Sequence, residues 1–576
     1  MHIDNASRQY TTGSGERRTT KCYLLRRSYR DADGKPRNET LANLSDLPEN
    51  AISALRLALK GATLVDAESG FDVERSIPHG DIAAAHIMAG TLGLRSLLGP
   101  PSRERDIAYA LILTRMVRPE SKLSTVRWWS APDTTLACDP GIADAGTDDI
   151  YAAMDWLLSR KGQIEKKLAR RHLSAGGTAM YDLSSSWVEG TRCELAAFGY
   201  SRDGKRGRMQ IEYGLLTDPA GRPVAIDVVK GNTAGPVAFK PVISKVRKEL
   251  GLKDLVFAGD RGMITKTRIA ELRALEGAGW VTALRAPDIA ALAADDGPLQ
   301  LSLFDEQNFA EITHPDYPGE RLVCCRNPAL KVSRAVKREK LLAATEADLD
   351  KIKKSVTAGR LKDPDKIGVR VGKAIGKHKA GKHFTWQITG GAFSFRRDEE
   401  KIAAEAALDG IYVIRTTMTA GLADAPGIVR TYKNLKYVER DFRTIKIDDL
   451  DVRPIRHYKA GRVEAHLFIC MLAAYLTWHL REAFAPLTFT GQDIPEPADP
   501  VAPAQRSPQA RNKDAAKQTP DNLPLYRYRD LLSHLSTLDR QIINFSGQKI
   551  EKLTLPTPVQ ARAFGLLGSP VPIRIT

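Results

Sequence analysis

The 576-residue sequence predicts an α/β protein: a mixed sheet with flanking helices, interrupted by an inserted domain and preceded by a mainly helical N-terminal region. Three observations lead there. Five short runs rich in β-branched and aromatic residues follow one another between residues 178 and 286, each bounded by Gly, Pro or Asp. Stretches with apolar residues spaced by three and four separate the third run from the fourth and the fourth from the fifth. A long, highly charged segment of different character then precedes one more apolar strand.

Taken in order, residues 1–30 hold seven basic and two acidic residues, and KCYLLRRSYR followed by DADGKPR reads as a strand entering a hairpin turn. Helical spacing follows at Ile52–Leu59, Asp81–Leu98, Arg103–Val117, Asp149–Arg160 and Gln163–Arg171. Residues 1–175 are therefore expected to form a mostly helical region. The five strands are TAMYDLSSS, RMQIEYGLLTD, RPVAIDVVKGN, DLVFAGD and GWVTALRA, with helices Val237–Leu250 and Thr265–Leu275 between the later ones. The turn PAG joins the second and third as a hairpin. Residues 176–296 are thus the first part of a sheet domain. Residues 297–405 read as an inserted domain with a charged helix, Arg334–Val356, and a hairpin, FTWQITGGAFSF. The domain resumes over 406–482 with the strand IYVIRTTM and a long helix from about Pro426 to Lys446. Residues 483–522, rich in Pro, Ala and charge from Pro495 to Asn522, are expected to be a flexible linker. Residues 523–576 form a C-terminal extension.

The formal charge of +17 favours a polyanionic partner. Eleven Lys or Arg against two Asp over residues 351–382 make that segment a candidate for phosphate contact. Six scattered cysteines with no C-x-x-C pair argue against a disulfide framework and a zinc ribbon. The opening residues lack the apolar core of a secretory signal, so the expected location is cytoplasmic. The longest apolar run, Leu467 to Trp478, is too short to span a bilayer and is expected to be a buried helix, which leaves nucleic acid as the favoured polyanion. His457, Glu464 and His466 do not have the spacing of H-E-x-x-H and are assigned to capping and packing.

Two acids stand where a strand prefers apolar residues: Asp182 in MYDLSSS and Asp260 at the end of VFAGD. Carboxylates held close on rigid elements repel, and a divalent cation relieves that repulsion. A first Asp on the first strand, a second just past the fourth and a Glu on a late helix resemble the ribonuclease-H-like core of DDE transposases. The segments YDLSSSWVEG, LLTDPAGRPVAIDVVKGNT and AGDRGM look like those of prokaryotic insertion-sequence transposases. YKNLKYVERDFRTIK, Tyr432 to Lys446, is similar to their signature Y-x2-R-x3-E-x6-K, with Tyr432, Glu439 and Lys446 in place and Leu435 where the signature has Arg.

The resemblance implies that Asp182, Asp260 and Glu439 bind two Mg²⁺ ions, with Mn²⁺ as substitute. The implied reaction is hydrolysis at transposon ends followed by transfer of the freed 3′-hydroxyl into target DNA, by an enzyme paired as a homodimer on two ends. It also implies DNA contacts for Tyr432 and Lys446, which steps of seven residues would place on one helical face. The alternatives are a related Mg²⁺-dependent nuclease and a sequence-specific DNA-binding protein that has lost catalysis.

Overall fold

The computed structural model describes all residues except 63, 65–70, 132, 295–296, 492–496, 498, 504, 546–547 and 576. The chain divides into two compact units, one of Met1–Ile77 with Asp539–Thr554, the other of Pro78–Leu538 with Leu555–Thr576.

The first unit is built mainly of strands: the strand and hairpin turn expected at KCYLLRRSYR and DADGKPR are present, while the helices expected over 1–175 begin, apart from Glu49–Leu59, at Gly80. β1 (His2–Thr11), β2 (Arg17–Arg30) and β3 (Pro36–Asn43) form an antiparallel sheet in chain order. The helix Glu49–Leu59 follows, and β4 (Phe71–Pro78) joins a second three-stranded sheet with the hairpin Asp539–Phe545 and Gln548–Leu553. β1 reads HIDNASRQYT and β2 is exposed along most of its length, so neither shows the alternation that marks a half-buried strand. Their pairing comes from the turns, closed by Gly15 and Gly34 at positive φ.

In the second unit the helices Gly80–Thr91, Arg103–Val117, Thr147–Ser159 and Lys161–His172 share one buried core with the sheet and with the helix Ala460–Ala483. The expected boundary at residue 175 is therefore absent, and the division falls at Ile77. Ala460–Ala483 is long and apolar enough to cross a membrane, yet 83% of its most apolar window is buried inside the protein. It is a core helix, as its sequence suggested.

The sheet contains β5 (Thr178–Trp187), β6 (Gln210–Thr217), β7 (Pro223–Lys230), β8 (Leu255–Ala258), β9 (Ala278–Ala283), β10 (Phe309–Ile312) and β11 (Arg321–Arg326). A separate hairpin, β12 (Phe384–Thr389) and β13 (Ala392–Arg397), precedes the sheet's last strand, β14 (Ile411–Thr416). The strand order is β10-β11-β14-β9-β8-β5-β6-β7. β5 runs parallel to β8, and β8 to β9; the remaining pairs are antiparallel. All five expected strands are present in the mixed sheet, with helices packed on it.

β10 and β11 belong to this sheet, so the inserted domain is shorter than the expected 297–405. Its body is the long helix Pro328–Thr357, the helix Pro364–His378 and the β12–β13 hairpin, packed around Leu342, Leu349, Ile367, Val371 and Phe384. The expected linker also differs. Residues 492–496, 498 and 504 lie outside the described residues, but Pro508–Ala516 is a helix and Val501 is fully buried. Asn327 donates to Val501 O at 3.2 Å, and Lys433 donates to Val501 O and Ala502 O at 2.9 Å. Low hydropathy masked these anchors. The C-terminal extension is likewise no single module: Tyr528–Ser536 and Pro558–Leu566 belong to the second unit and the hairpin between them to the first.

Candidate active site

Parallel pairing brings the two aspartates together. Met180 is opposite Ala258, and each acid lies two residues further along its own chain. Gly259, just past the end of β8, is closely packed: a Cβ there would meet the Ile264 side chain at 3.1 Å. Neighbouring strands are about 4.8 Å apart, so Asp182 and Asp260 share one edge of the pleat. Asp260 Oδ1 accepts the backbone N–H groups of Gly262 and Met263, each at 2.8 Å, which fixes its carboxylate over the turn. Asp182 is partly buried and accepts Leu183 N–H at 2.8 Å.

The expected long helix is broken into Ala425–Lys433, Leu435–Arg443 and a π-helical turn, Thr444–Asp448. Leu435–Arg443 packs on β5, and Phe442 makes an edge contact with Tyr213 at 5.8 Å between centroids. Tyr213 is opposite Ser184, which shares the sheet face of Asp182, so the helix carrying Glu439 lies on the acid-bearing face. The other face is filled by Tyr181, Phe239 and Phe257 beneath the helix Gly235–Lys248.

Charge links the three acids. Burial pushes the Asp182 carboxyl up to about 7, and the negative charges of Asp260 and Glu439 add to the shift while Arg202 opposes it. Tyr432 is pushed up to about 12, chiefly by burial and then by the charges of Asp260, Glu439 and Asp182, so the structure brings the tyrosine into the same field. It lines a cavity of about 430 Å³ with Asp260, Arg261 and Lys433. Among the described residues no group of three or more His, Cys, Asp or Glu side chains is drawn together as a metal site. By donor type and by charge the acids nevertheless fit a hard divalent cation: oxygen donors only, with the charged form of Asp182 penalised first by burial and then by the charges of Asp260 and Glu439.

Lys446 is not part of this group, which corrects its assignment to DNA. It is only 7% exposed, and its Nζ is 2.8 Å from Asp203 Oδ1, an oxygen that Arg453 also reaches at 2.9 Å. The sequence reading also missed Arg202 and Glu212. Arg202 donates its backbone N–H to Ser185 Oγ at 3.0 Å, and its charge bears on both Asp182 and Glu212. Glu212, pushed up to about 7 by burial, is 4% exposed on β6. An acid inside the expected strand RMQIEYGLLTD was the available signal for Glu212; the glycine-rich connector around Arg202 offered none.

Residues 9–69 match the family described as IS1634 family transposase, N-terminal domain. That match supports an insertion-sequence transposase. No curated protein matches the chain. A solved structure described as "Cryo-EM structure of piggyBac transposase synaptic complex with hairpin DNA (SNHP)" aligns over 69% of this chain and 72% of its own. At 10% identity and a TM-score of 0.33 the alignment is too loose to carry an argument.

Proposed function

We propose that the chain is a DDE transposase that cleaves transposon ends and transfers the 3′-hydroxyl strand into target DNA, with Asp182, Asp260 and Glu439 as its catalytic acids. The observation that carries the reading is the parallel register of β5 and β8, which sets Asp182 beside Asp260 under the helix of Glu439. Three antiparallel strands, β7-β6-β5, continued by parallel β8 and β9, support a ribonuclease-H-like core. The match of residues 9–69 supplies the class of protein.

In this reading Asp182, Asp260 and Glu439 hold two Mg²⁺ ions, or Mn²⁺ in their place. When bound, the ions supply Lewis acidity for in-line displacement at phosphorus. The chain's own part is positional. Two backbone amides orient the Asp260 carboxylate, and packing on β5 fixes the approach of Glu439. Arg202 places a positive charge opposite Asp182, where a phosphate oxygen would gather negative charge. Tyr432, beside Asp260, is the DNA contact the geometry favours. DNA ends and target DNA are the partners, and a homodimer pairs the ends.

The test is Mg²⁺-dependent nicking of a DNA fragment carrying the element's ends, run beside a mobility-shift assay. Asp182→Ala, Asp260→Ala and Glu439→Ala should each abolish nicking and leave binding largely intact. Near-normal cleavage by any of the three removes that residue from the site. Binding without cleavage by the native protein would favour the DNA-binding alternative.

A further inference from the structure

A second cavity, of about 550 Å³, lies between the helix Arg103–Val117, the loop 119–124 and the segment 451–457. Arg115, Lys122, Arg453, Arg456, His457 and His466 line it. Three of these basic groups are buried: Arg115 is 5% exposed, His466 6% and Lys122 7%. Arg115 donates to two backbone carbonyls, Leu450 O at 3.3 Å and Glu120 O at 3.2 Å, which use two of its five N–H groups and leave its charge unneutralised. Among the described residues Lys122 has no hydrogen-bonded or ion-paired partner, and His466, whose ring bonds the Val452 backbone, leaves Nδ1 buried without one.

The two carboxylates on the lining are committed elsewhere. Glu120 is bound by Arg118 at 2.9 Å and by the Ser124 hydroxyl; Asp451 lies 3.5 Å from Arg529. The helix Lys122–Ser130, N-capped by Ser121, turns its first residues into the same cavity and adds the positive end of its dipole. Burying an unneutralised cation is costly unless something brings the opposite charge. Here burial and the charge of Arg115 depress Lys122 to about 7, while burial drives His457 down to about 4 and His466 well below its ordinary value.

We propose that this cavity is a phosphate-binding site, with Lys122 and Arg115 as the charged ligands, the helix N-terminus behind them, and the imidazole of His457 as a further donor. The occupant is a phosphate group, carried on a DNA backbone or free in solution. The site does not depend on the reading of Asp182, Asp260 and Glu439 as catalytic acids, and it gives a role to His457, which sequence spacing left to packing.

The full-length protein tests it without DNA. Inorganic phosphate, titrated against chloride at matched ionic strength, should raise the thermal unfolding midpoint in a saturable way, because it binds only the folded state. Lys122→Met should weaken that effect about tenfold or more, the loss expected for one charge-assisted hydrogen bond, and Lys122→Arg should restore it. A second arm measures duplex binding across salt. A slope of log affinity against log salt lower by about one in Lys122→Met assigns the site to a DNA phosphate. An unchanged slope with phosphate stabilisation retained in the native protein assigns it to free phosphate. If phosphate leaves the native midpoint where chloride does and the DNA slope is unaltered, the proposal is overturned. If Lys122→Met fails to fold, Lys122→Gln carries the duplex arm, and the native titration still tests the phosphate site by itself.

Discussion

Replacing Asp182 by Asn should stabilise the protein while destroying its cleavage activity. The folded carboxyl sits near 7 against an ordinary value of 3.8, so the folded state holds a proton that the unfolded chain has released. Across that window the unfolded state binds fewer protons, and stability falls as pH rises from about 4 to about 7. A shift of this size corresponds to about 4 kcal/mol at full effect. Asp182 is partly exposed, and solvent screening lowers the working figure to about 2 to 3 kcal/mol. The substituted amide carries no charge to desolvate and none to repel Asp260 and Glu439. At pH 8 without divalent ions Asp182→Asn should therefore denature later than the native protein, and the gain should shrink steadily toward pH 5. The assay is a thermal or urea transition followed over pH 5 to 8 in chelator, then repeated with Mg²⁺. Mg²⁺ should stabilise the native protein by mass action and Asp182→Asn much less. Coincident transitions for the two proteins at pH 8, with the same pH slope, would show that the carboxylate is already neutralised or solvated. The argument from its burial would then fail.

Three further outcomes follow from the packing. Lys446→Met should cost about 2 to 4 kcal/mol of stability, since Arg453 still partners Asp203, and it should leave the salt dependence of DNA binding unchanged; a slope lower by one would restore the phosphate role. Gly221 has φ +86° in the β6–β7 turn, and a Cβ there would lie 2.6 Å from Tyr437 Cβ on the helix of Glu439. Gly221→Ala should therefore depress cleavage by on the order of 10²-fold with end binding retained, and equal nicking rates would refute the displacement. Glu320, fully buried, takes a two-pronged ion pair from Arg415, a bond from Trp280 Nε1 at 3.2 Å and Arg273 at 2.8 Å. Glu320→Ala should destabilise by about 3 to 5 kcal/mol, and a denaturation midpoint within error of the native one would show the cluster to be hydrated.

What could be read from the sequence follows from how local each signal is. The strands carrying Asp182 and Asp260 were legible because they are apolar runs bounded by turn residues, and an acid inside such a run stands out without any knowledge of its neighbours. Their adjacency required only the order of elements. β1 was not legible because a strand exposed along most of its length has no hydrophobic period, whereas β2 could be read from KCYLLRRSYR and the turn residues after it. The burial of Val501 inside an apparently solvated stretch depends on carbonyls accepting from Asn327 and Lys433, far away in the chain. The cationic cavity was hidden for a similar reason: Arg115 and Lys122 sit more than 300 residues from His457 and His466, and only packing brings them together.

Lys446 shows where a correct local rule meets a longer-range one. Steps of seven residues along an α-helix fall about 20° short of two turns, so regular helix would stack Tyr432, Glu439 and Lys446 in a stripe. The chain leaves that geometry twice, at Asn434 between two helices and at the π-helical turn Thr444–Asp448. The wider turn takes Lys446 off the exposed stripe of Glu439 and into the interior. There its ammonium meets a carboxylate 243 positions earlier in the chain, on the loop whose preceding residue is Arg202. Arg202 is held by Ser185 on β5, three residues beyond Asp182, and its charge opposes the one that burial penalises there. The lysine thus ties the end of the Glu439 helix to the loop facing the aspartates, and spacing alone located the residue while leaving its partner to the fold.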